Sequence, residues 1–426
     1  MSQFRERQRA IAAVVTCNAL EVFDFVTYAF FAVQIARAFF PTTQPQAGLL
    51  LSVAVFGVGF IARPLGSVVI GYYADRAGRK PALLLTAMLM TIGTLGLALT
   101  PSYAAIGFFA PMLVVACRLV QGFALGGEIG PSTAFLLEIA PDERRAWYVS
   151  LQFASQGVAT VLAGAIGAAL SAALGAQAMA AWGWRVPFAL GALMVPVALY
   201  LRMAMPETLA AAPAPGPARA ATPTTPWRPA YLALGICVVA GGTVATYVGN
   251  YMATYSTTVL RLPTTAGLLA TMAVGLATIA GALAGGRLAD SVGRWPPMFW
   301  LRLAVAVATV PAFLLLLRSP DVSTLLAVSA VLAFLNTASG SGALTALCEL
   351  FPPQRRATAL AIVYSVGVSL FGGSTQFVVT WLIGTTGNPV VPARYVMAAN
   401  CVAVLATMFL PETRPAQGRR PRVASV

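Results

Sequence analysis

The chain of 426 residues contains no histidine, and only 9% of its residues are Asp, Glu, Lys or Arg. Soluble domains carry about 25% charged residues, so a chain this poor in charge cannot cover a water-facing surface, and most of its surroundings must be lipid. Because imidazole is the usual side chain that changes charge near neutral pH, its absence leaves proton chemistry to carboxylates. These two shortages predict a membrane protein in which Asp or Glu binds any proton.

Two other absences narrow the class of protein. The five cysteines fall in separate apolar segments without a motif partner, which predicts neither a disulfide framework nor a metal site. The chain also lacks the Gly-x-x-x-x-Gly-Lys loop that cradles nucleotide phosphates, so we do not expect an ATP-driven motor. We therefore expect no cofactor; the proton gradient would supply the energy, with sodium as the open alternative.

Long apolar segments dominate what remains. Hydrophobic residues make up 58% of the chain, and its mean hydropathy is +0.80. A helix needs about 20 apolar residues to cross a bilayer. Twelve segments of sufficient length lie near residues 10–40, 47–73, 81–100, 106–139, 146–174, 184–204, 229–257, 264–289, 297–317, 321–350, 356–385 and 390–410. The sequence thus predicts an all-α membrane protein with twelve transmembrane helices.

The basic residues are distributed unevenly among the loops. Most of the 27 Lys and Arg residues lie in the termini and in the even-numbered loops. The odd-numbered loops carry Arg37, Arg185, Arg261, Arg318 and Arg394. By the positive-inside rule, both termini face the cytoplasm, in a bacterial-type inner membrane. The net charge of +14 therefore reflects topology rather than nucleic-acid binding, and only Arg63 and Arg118 are assigned to span interiors.

A short charged motif occurs twice at half-chain spacing. Gly71–Lys80 recurs in weaker form as Gly286–Arg294, with the same Gly-Asp-Gly spacing and with the aspartates 215 positions apart. Two further loop motifs repeat at nearly this offset, Glu138–Ala146 as Glu349–Ala357 and Pro206–Thr208 as Pro411–Thr413. Internal duplication of this kind is typical of transporters whose halves move about a central site.

The repeats divide the chain into two similar halves. They predict two pseudo-symmetric six-helix bundles, residues 1–205 and 229–426. Residues 206–228 are rich in Pro and Ala, cannot form a packed core, and are interpreted as a flexible cytoplasmic linker.

The repeated motif itself is a candidate cytoplasmic gate. Charges at helix ends can bond to each other and to backbone groups, and can separate when the halves part. The candidate gate residues are Gly71, Asp75, Arg76, Gly78, Arg79, Asp290 and Arg294. The alternative is that the basic residues serve only as a topology signal. Since Ser291 and Trp295 replace Arg76 and Lys80, we expect a weaker contribution from the second copy.

Span one carries a stripe of polar side chains. Glu21, Asp24 and Tyr28 fall within about 60° around a helix, with Asn18 about 60° further round. A charged side chain at mid-membrane costs about 2.5–3.5 kcal/mol on insertion scales, so this stripe is expected to face water or a cation. Glu21 and Asp24 are candidate proton-coupling groups, and Asn18 and Tyr28 candidate substrate contacts. A buried structural ion pair is the alternative.

Spans two and four add charges to the predicted interior. Arg118, Gln121 and Glu128 lie within about 80° around span four. Arg118 is a candidate partner for a carboxylate of span one or of a substrate, Gln121 a candidate substrate contact, and Glu128 a third proton-coupling candidate. The alternatives are a static charge pair for Arg118 and a helix-end contact for Glu128. Arg63, beside a proline, is either a substrate contact or a partner for freed backbone carbonyls.

Uncharged polar residues in other spans complete the candidate site. Such residues also tie helices together, and that structural interpretation stays open for each. The substrate-binding candidates are Gln152, Gln156, Tyr247, Asn250, Tyr251, Ser341, Tyr364 and Thr375.

Several motifs resemble those of a known family. Gly71–Lys80 resembles the loop 2–3 signature of the major facilitator superfamily, and Arg118-x-x-Gln121-Gly122 its span-four motif. Asn18-x-x-Glu21-x-Phe23-Asp24-Phe25 with Arg63-Pro64-Leu-Gly66 is similar to the metabolite:proton symporter branch. Within that branch, the chain resembles the citrate and tricarballylate symporters. The segments that carry this resemblance are Ile35–Pro41, Phe56–Phe60, Tyr251–Tyr255, Thr271–Gly275 and Phe371–Thr375.

The resemblance implies alternating access and proton-coupled uptake of an organic anion. It places Asp75 and Arg79 in a cytoplasmic latch, and Asp24, Glu21 and Arg118 in the first half of a central cavity. Ser341 and Gln376 depart from the citrate-like pattern, which has asparagine and proline there. These departures leave the substrate open.

The predicted function is proton-coupled symport of citrate, tricarballylate or another di- or tricarboxylate. Alternatives are a symporter for a zwitterion such as betaine or proline, since acids outnumber the assigned arginines, and an exporter of small organic compounds. A receptor function is not supported, because the sequence shows no soluble domain outside the predicted spans. The expected partners are a small organic anion, protons and the lipid bilayer, with no nucleic acid, and we expect a monomer to function.

Overall fold

The computed structural model describes residues 2–40, 45–203 and 229–414, and these residues are almost entirely helical. The predicted linker 206–228 lies outside the described residues. The helices are α1 (Ser2–Phe30), α2 (Ala32–Phe39), α3 (Pro45–Ala77), α4 (Arg79–Leu99), α5 (Tyr103–Ile106), α6 (Phe109–Ile139), α7 (Arg145–Ala181), α8 (Val186–Met203), α9 (Ala230–Thr258), α10 (Thr264–Val292), α11 (Trp295–Arg318), α12 (Val322–Leu350), α13 (Arg356–Gly367), α14 (Gly373–Thr386) and α15 (Val391–Met408).

These helices confirm the twelve-helix architecture. The segments α1 and α2 together fill the first predicted span, which is interrupted at Phe31. The segments α13 and α14 form one rod, joined by the π-helical turn Val368–Gly372. Within the described part of the chain, ten helices are long and apolar enough to cross a membrane. Helices α3 and α8 occupy the remaining two predicted spans.

The outer surface of the helices is apolar. Large hydrophobic side chains point away from the protein, with Ile61, Phe108 and Phe409 each more than 70% exposed. A water-soluble monomer rarely exposes so continuous an apolar surface. The surface therefore suits the hydrocarbon of a bilayer.

The helices pack as two similar groups. In the first half, α3 and α4 pack on α6; in the second, α10 and α11 pack on α12. Small residues allow the close approach, since a Cβ added at Gly122 would lie 1.9 Å from the carbonyl oxygen of Gly59. The halves meet mainly where α7 packs on α10 and where α3 and α6 pack on α13.

The two copies of the charged motif lie at one end of the molecule, which we call the motif end. Each copy is the turn between two long helices, α3 to α4 and α10 to α11. Gly78 and Gly293 lie in these turns with φ of 111°, a backbone conformation that residues with a Cβ atom rarely adopt. Both described chain ends lie here, because Arg7 covers the ring of Tyr148 and Glu412 binds the turn after Gly293.

A helix start at the opposite end is capped by a side chain. Asp321 precedes α12 and accepts hydrogen bonds from the hydroxyl of Ser323 and the backbone N–H of Thr324, at 2.5 and 2.8 Å. Bonds to the charged carboxylate lower the pKa of Asp321 from 3.8 to about 2. The cap therefore stays ionised at physiological pH.

Candidate functional site

Asp75 joins the two halves at the motif end. Its carboxylate accepts hydrogen bonds from the backbone N–H groups of Ala357 and Thr358, at 3.2 and 2.9 Å, and from the Thr358 hydroxyl at 2.5 Å. These groups begin α13, where free N–H groups favour a negative charge. Gly71 lies against the same residue, since a Cβ there would be 2.9 Å from the Thr358 Cα.

Arg79 adds a second connection at this junction. It is fully buried, forms an ion pair with Asp75 at 2.5 Å, and donates to the backbone oxygen of Pro353 at 2.9 Å. Glu138 accepts from both Arg79 and Arg356, at 3.2 Å each, and so connects arginines of the two halves. The halves are thus held together by two carboxylates, Asp75 and Glu138, and by two arginines, Arg79 and Arg356.

The second copy of the motif repeats this arrangement. Asp290 accepts from the backbone N–H groups of Ala146 and Trp147, at 2.9 and 2.8 Å. Arg294 forms a two-pronged bond with Glu349, at 3.1 and 3.2 Å. Among the described residues, the second copy has no counterpart of the Thr358 hydroxyl bond or of the bond from Arg79 to the Pro353 carbonyl, and Arg294 and Glu349 both belong to the second half. Gate candidate Arg76 differs from the others: it is exposed and lies over the ring of Tyr72 on its own helix.

A cavity of ≈ 400 Å³ lies between the two halves. Its lining runs along α9 from Val238 to Thr254 and along α12 from Asn336 to Leu347, so the cavity occupies the middle of the protein. A volume of this size is typical of small-molecule sites. The predicted substrate-binding candidates that line it are Asn18, Arg63, Gln152, Gln156, Tyr247, Asn250 and Tyr364. The structure therefore brings these side chains together from five helices of both halves.

Among the described residues, three charged side chains line this cavity. Arg63 comes from α3, Glu128 from α6 and Arg302 from α11. The guanidinium of Arg63 lies over the rings of Phe25 and Phe60, at 4.7 and 4.3 Å from their centroids. Such contacts stabilise a cation without neutralising it.

Arg302 corrects the assignment of only two arginines to the membrane interior. It lies eight residues into α11 and is 2% exposed. Its guanidinium donates to Asn336 at 2.5 Å and to Asn400 at 3.3 Å. Counting it among the loop residues was wrong, since position 302 falls inside both the predicted span 297–317 and the helix that starts at Trp295. Asn336 in α12 and Asn400 in α15, polar residues inside predicted spans, were the sequence signal that could have identified Arg302 as buried.

Asp24 and Arg118 lie in a buried cluster beside the cavity. They are 3% and 1% exposed. The amide nitrogen of Gln121 donates to Asp24 at 2.5 Å and to Thr94 at 3.1 Å, while its oxygen accepts from Arg118 at 2.7 Å. Gln121 therefore stands between Arg118 and Asp24, one of the two span-one carboxylates that were candidate partners of this arginine. Within residues 2–40, 45–203 and 229–414, one oxygen of Asp24 has no hydrogen-bond partner.

An aromatic ring covers the remaining face of this cluster. The guanidinium of Arg118 lies 3.6 Å from the ring centroid of Tyr28, which is fully buried. Tyr28, Gln121 and Arg118 all lie outside the cavity lining. Glu21, on the same helix as Asp24, is also buried outside the lining.

Asn18 and Gln152 tie the first half together at the cavity wall. The Asn18 amide donates to the Ser155 hydroxyl at 2.6 Å, and the Gln152 amide donates to the Asn18 oxygen at 2.8 Å. Gln152 also donates to Ser132 at 3.2 Å. The network connects α1, α6 and α7 and fixes polar side chains of the lining.

Three predicted substrate contacts lie in helix packing instead of the cavity. Ser341 is fully buried and donates to the backbone oxygens of Ala282 and Thr337. Thr375 donates to the backbone oxygen of Phe371. Tyr251 lies within 3.4 Å of the Thr380 hydroxyl. Inside membranes, uncharged polar side chains commonly form hydrogen bonds of this kind to neighbouring helices. By contrast Gln376, which departs from the citrate-like pattern, does line the cavity.

Comparison with known proteins agrees with this architecture. The sequence pattern of the Major Facilitator Superfamily matches residues 14–320. The chain belongs to the major facilitator superfamily. It is 36% identical over 406 residues to the citrate-proton symporter of Salmonella typhi, covering 94% of this chain and 93% of that protein. It is 32% identical over 439 residues to the glycine betaine/proline/ectoine/pipecolic acid transporter OusA of Dickeya dadantii (strain 3937), covering 98% and 86%.

Solved structures give the same fold. The structure of the proton:xylose symporter XylE superposes with a TM-score of 0.80 at 18% identity, covering 96% of this chain and 97% of that one. As a member of this superfamily, the protein is a multi-pass membrane transporter and not an enzyme.

Proposed function

We propose that the protein is a proton-coupled symporter that takes up an organic anion, of the di- or tricarboxylate class. The observation that carries this proposal is the cavity between the halves, where the cations Arg63 and Arg302 outnumber the single acid Glu128. A pocket with excess positive charge favours an anionic ligand. The citrate-proton symporters among the relatives support this substrate class.

Proton coupling is assigned to Asp24. A carboxylate that is 3% exposed and has one oxygen without a partner is costly to keep ionised, so it readily accepts a proton. The charge of Asp24 reaches Arg118 through Gln121. Protonation would remove the anion that balances Arg118 and loosen this cluster against α1 and α4.

Alternating access would use the contacts at the motif end as a gate. The positive-inside rule places that end in the cytoplasm. With these contacts made, the motif end is closed, as expected of an outward-facing or occluded state. Opening to the cytoplasm would then break the hydrogen bonds that Asp75, Arg79 and Asp290 form between the halves.

Uptake into proteoliposomes tests the proposal. Purified protein is reconstituted, an inward proton gradient is imposed in sodium-free buffer, and labelled citrate, tricarballylate, succinate, betaine and proline are offered in parallel. We expect accumulation of at least one di- or tricarboxylate, abolished by a protonophore and retained without sodium. Accumulation of betaine or proline with none of the acids would replace the proposal with the zwitterion alternative. Efflux of apolar compounds with no uptake would identify an exporter.

A further inference from the structure

Arg302 is a buried cation for which the described part of the protein supplies no carboxylate. It is 2% exposed, and its two hydrogen-bond acceptors are the neutral side-chain oxygens of Asn336 and Asn400. Its Nε atom has no hydrogen-bond partner among the described residues. No Asp or Glu of residues 2–40, 45–203 or 229–414 pairs with it. An isolated buried charge is strongly unfavourable, so an anion from outside the chain is the missing counter-charge.

The amide groups around Arg302 are fixed in place. The Asn336 nitrogen donates to the Gly242 carbonyl at 3.2 Å and to the Thr246 hydroxyl at 3.0 Å. The Asn400 nitrogen donates to the Val396 carbonyl at 2.8 Å. Since each nitrogen is committed elsewhere, each amide oxygen is directed at the guanidinium. The cation is therefore positioned but not neutralised, which is the arrangement expected of a preorganised anion site.

Arg302 and Arg63 line the same cavity from different halves. Arg63 belongs to α3 of the first half, and Arg302 to α11 of the second. Arg63 is also held by neutral groups, the rings of Phe25 and Phe60. Each half of the protein thus contributes one guanidinium to the lining of the shared cavity.

We propose that Arg302 binds one carboxylate of the substrate and Arg63 another, so that the substrate carries at least two carboxylates and connects the two halves. This inference rests on the proposed function and names the charge pattern of its substrate. A monocarboxylate leaves one arginine uncompensated and binds weakly. A dianion neutralises both walls at once, which favours the approach of the halves around it.

A thermodynamic cycle that combines substitution of Arg302 with removal of substrate carboxylates tests the role of this arginine. Dissociation constants are measured by calorimetry on purified protein for tricarballylate, for glutarate, which lacks its central carboxylate, and for butyrate, which has a single carboxylate. In Arg302→Gln, we expect the constants for tricarballylate and glutarate to rise roughly 10- to 100-fold. The constant for butyrate should change much less, so the preference for a second carboxylate collapses.

Two further variants make the cycle specific. Asn336→Asp keeps the arginine but supplies a carboxylate beside it, and we expect it to weaken glutarate binding as Arg302→Gln does. It also serves if Arg302→Gln fails to fold. Arg318→Gln removes the same charge from the exposed end of the same helix and should leave all three constants unchanged.

The outcomes separate this inference from the proposed function. If the wild type binds the acids and both variants bind them equally well, Arg302 is not a substrate site. The same conclusion follows if the variants lose butyrate and glutarate by equal factors, since that result indicates general damage to the cavity. A wild type that binds no organic acid overturns the proposed function itself.

Discussion

The guanidinium of Arg79 donates a 2.9 Å hydrogen bond to the backbone carbonyl of Pro353, in the other half of the chain. The same arginine is fully buried and paired with Asp75 within its own half. A charge-assisted bond of this kind can be broken only by moving the two halves apart or by admitting water between them. The motif end is thus closed by contacts that respond to the separation of the halves.

Loss of Asp75 should open the motif end. Asp75→Ala removes the acceptor of three hydrogen bonds from Ala357 and Thr358, each worth about 1.5–3 kcal/mol as a bond to a charged group. We expect the fraction of molecules open at that end to rise at least tenfold. Cys348, fully buried near this junction, reports the change through its rate of maleimide labelling when the other cysteines are replaced.

The surface pair at the same end provides the control. Asp142 is 68% exposed and pairs with Arg145 at 2.8 Å. Because exposed pairs contribute little, Asp142→Ala should leave the labelling rate of Cys348 unchanged. Equal labelling rates in Asp75→Ala and wild type would remove Asp75 from the gate.

Asp24→Asn should separate transport from the proton gradient. The amide preserves size and hydrogen bonding to Gln121 but cannot bind a proton. We expect uptake driven by a pH gradient to fall to background, while exchange of labelled for unlabelled substrate continues. In the wild type, uptake should rise as external pH falls; in the variant the profile should be flat. An unchanged pH profile would exclude Asp24 from the proton path.

Arg118→Ala should abolish uptake while leaving the protein inserted in the membrane. The change removes the donor to Gln121 and leaves Asp24 without a nearby cation. Uptake and the amount of membrane-inserted protein are measured together. Arg287→Ala, at an exposed site, serves as the matched control. Wild-type uptake by Arg118→Ala would show that the cluster is only structural.

The packing of α3 on α6 should be sensitive to a single methyl group. A Cβ at Gly126 would lie 2.0 Å from the carbonyl oxygen of Arg63, so Gly126→Ala forces the helices apart. Overpacking costs about 1–3 kcal/mol, which should lower the unfolding temperature measured in detergent. Gly249 has no atom within 4 Å of the same position, and Gly249→Ala is the control. Equal unfolding temperatures for the two variants would contradict this account.

Much of the architecture was accessible from the sequence, because its signals are local. The half-chain repeat of Gly71–Lys80 predicted the paired turns at the motif end, and the structure adds the partners, backbone groups of α13 and α7. Those partners could not be read from side-chain patterns, since any residue supplies a backbone N–H. The pattern in span one predicted acids that face water or a cation, whereas Asp24 and Glu21 are buried outside the cavity lining, and it did not predict that Gln121 would stand between Asp24 and Arg118.

Some candidate residues could form hydrogen bonds either to a substrate or to a neighbouring helix. Ser341 and Thr375 were substrate-binding candidates with helix packing as the open alternative, and both bond to backbone carbonyls in the helices. Periodicity gives the face of a helix but not which neighbour covers it. Arg302 was missed although it lies inside the predicted span 297–317, and the structure places it as the eighth residue of α11.

By itself the sequence determined that the chain lies in lipid, that it has twelve helices and that its halves are related. These properties follow from composition, run length and repetition, which need no knowledge of distant contacts. Only the tertiary structure decided which charges share the cavity, because Arg63 and Arg302 are far apart along the chain and meet through the packing of two halves. Only it decided that Asp24 is separated from Arg118 by an amide, since that spacing depends on how α1, α4 and α6 pack.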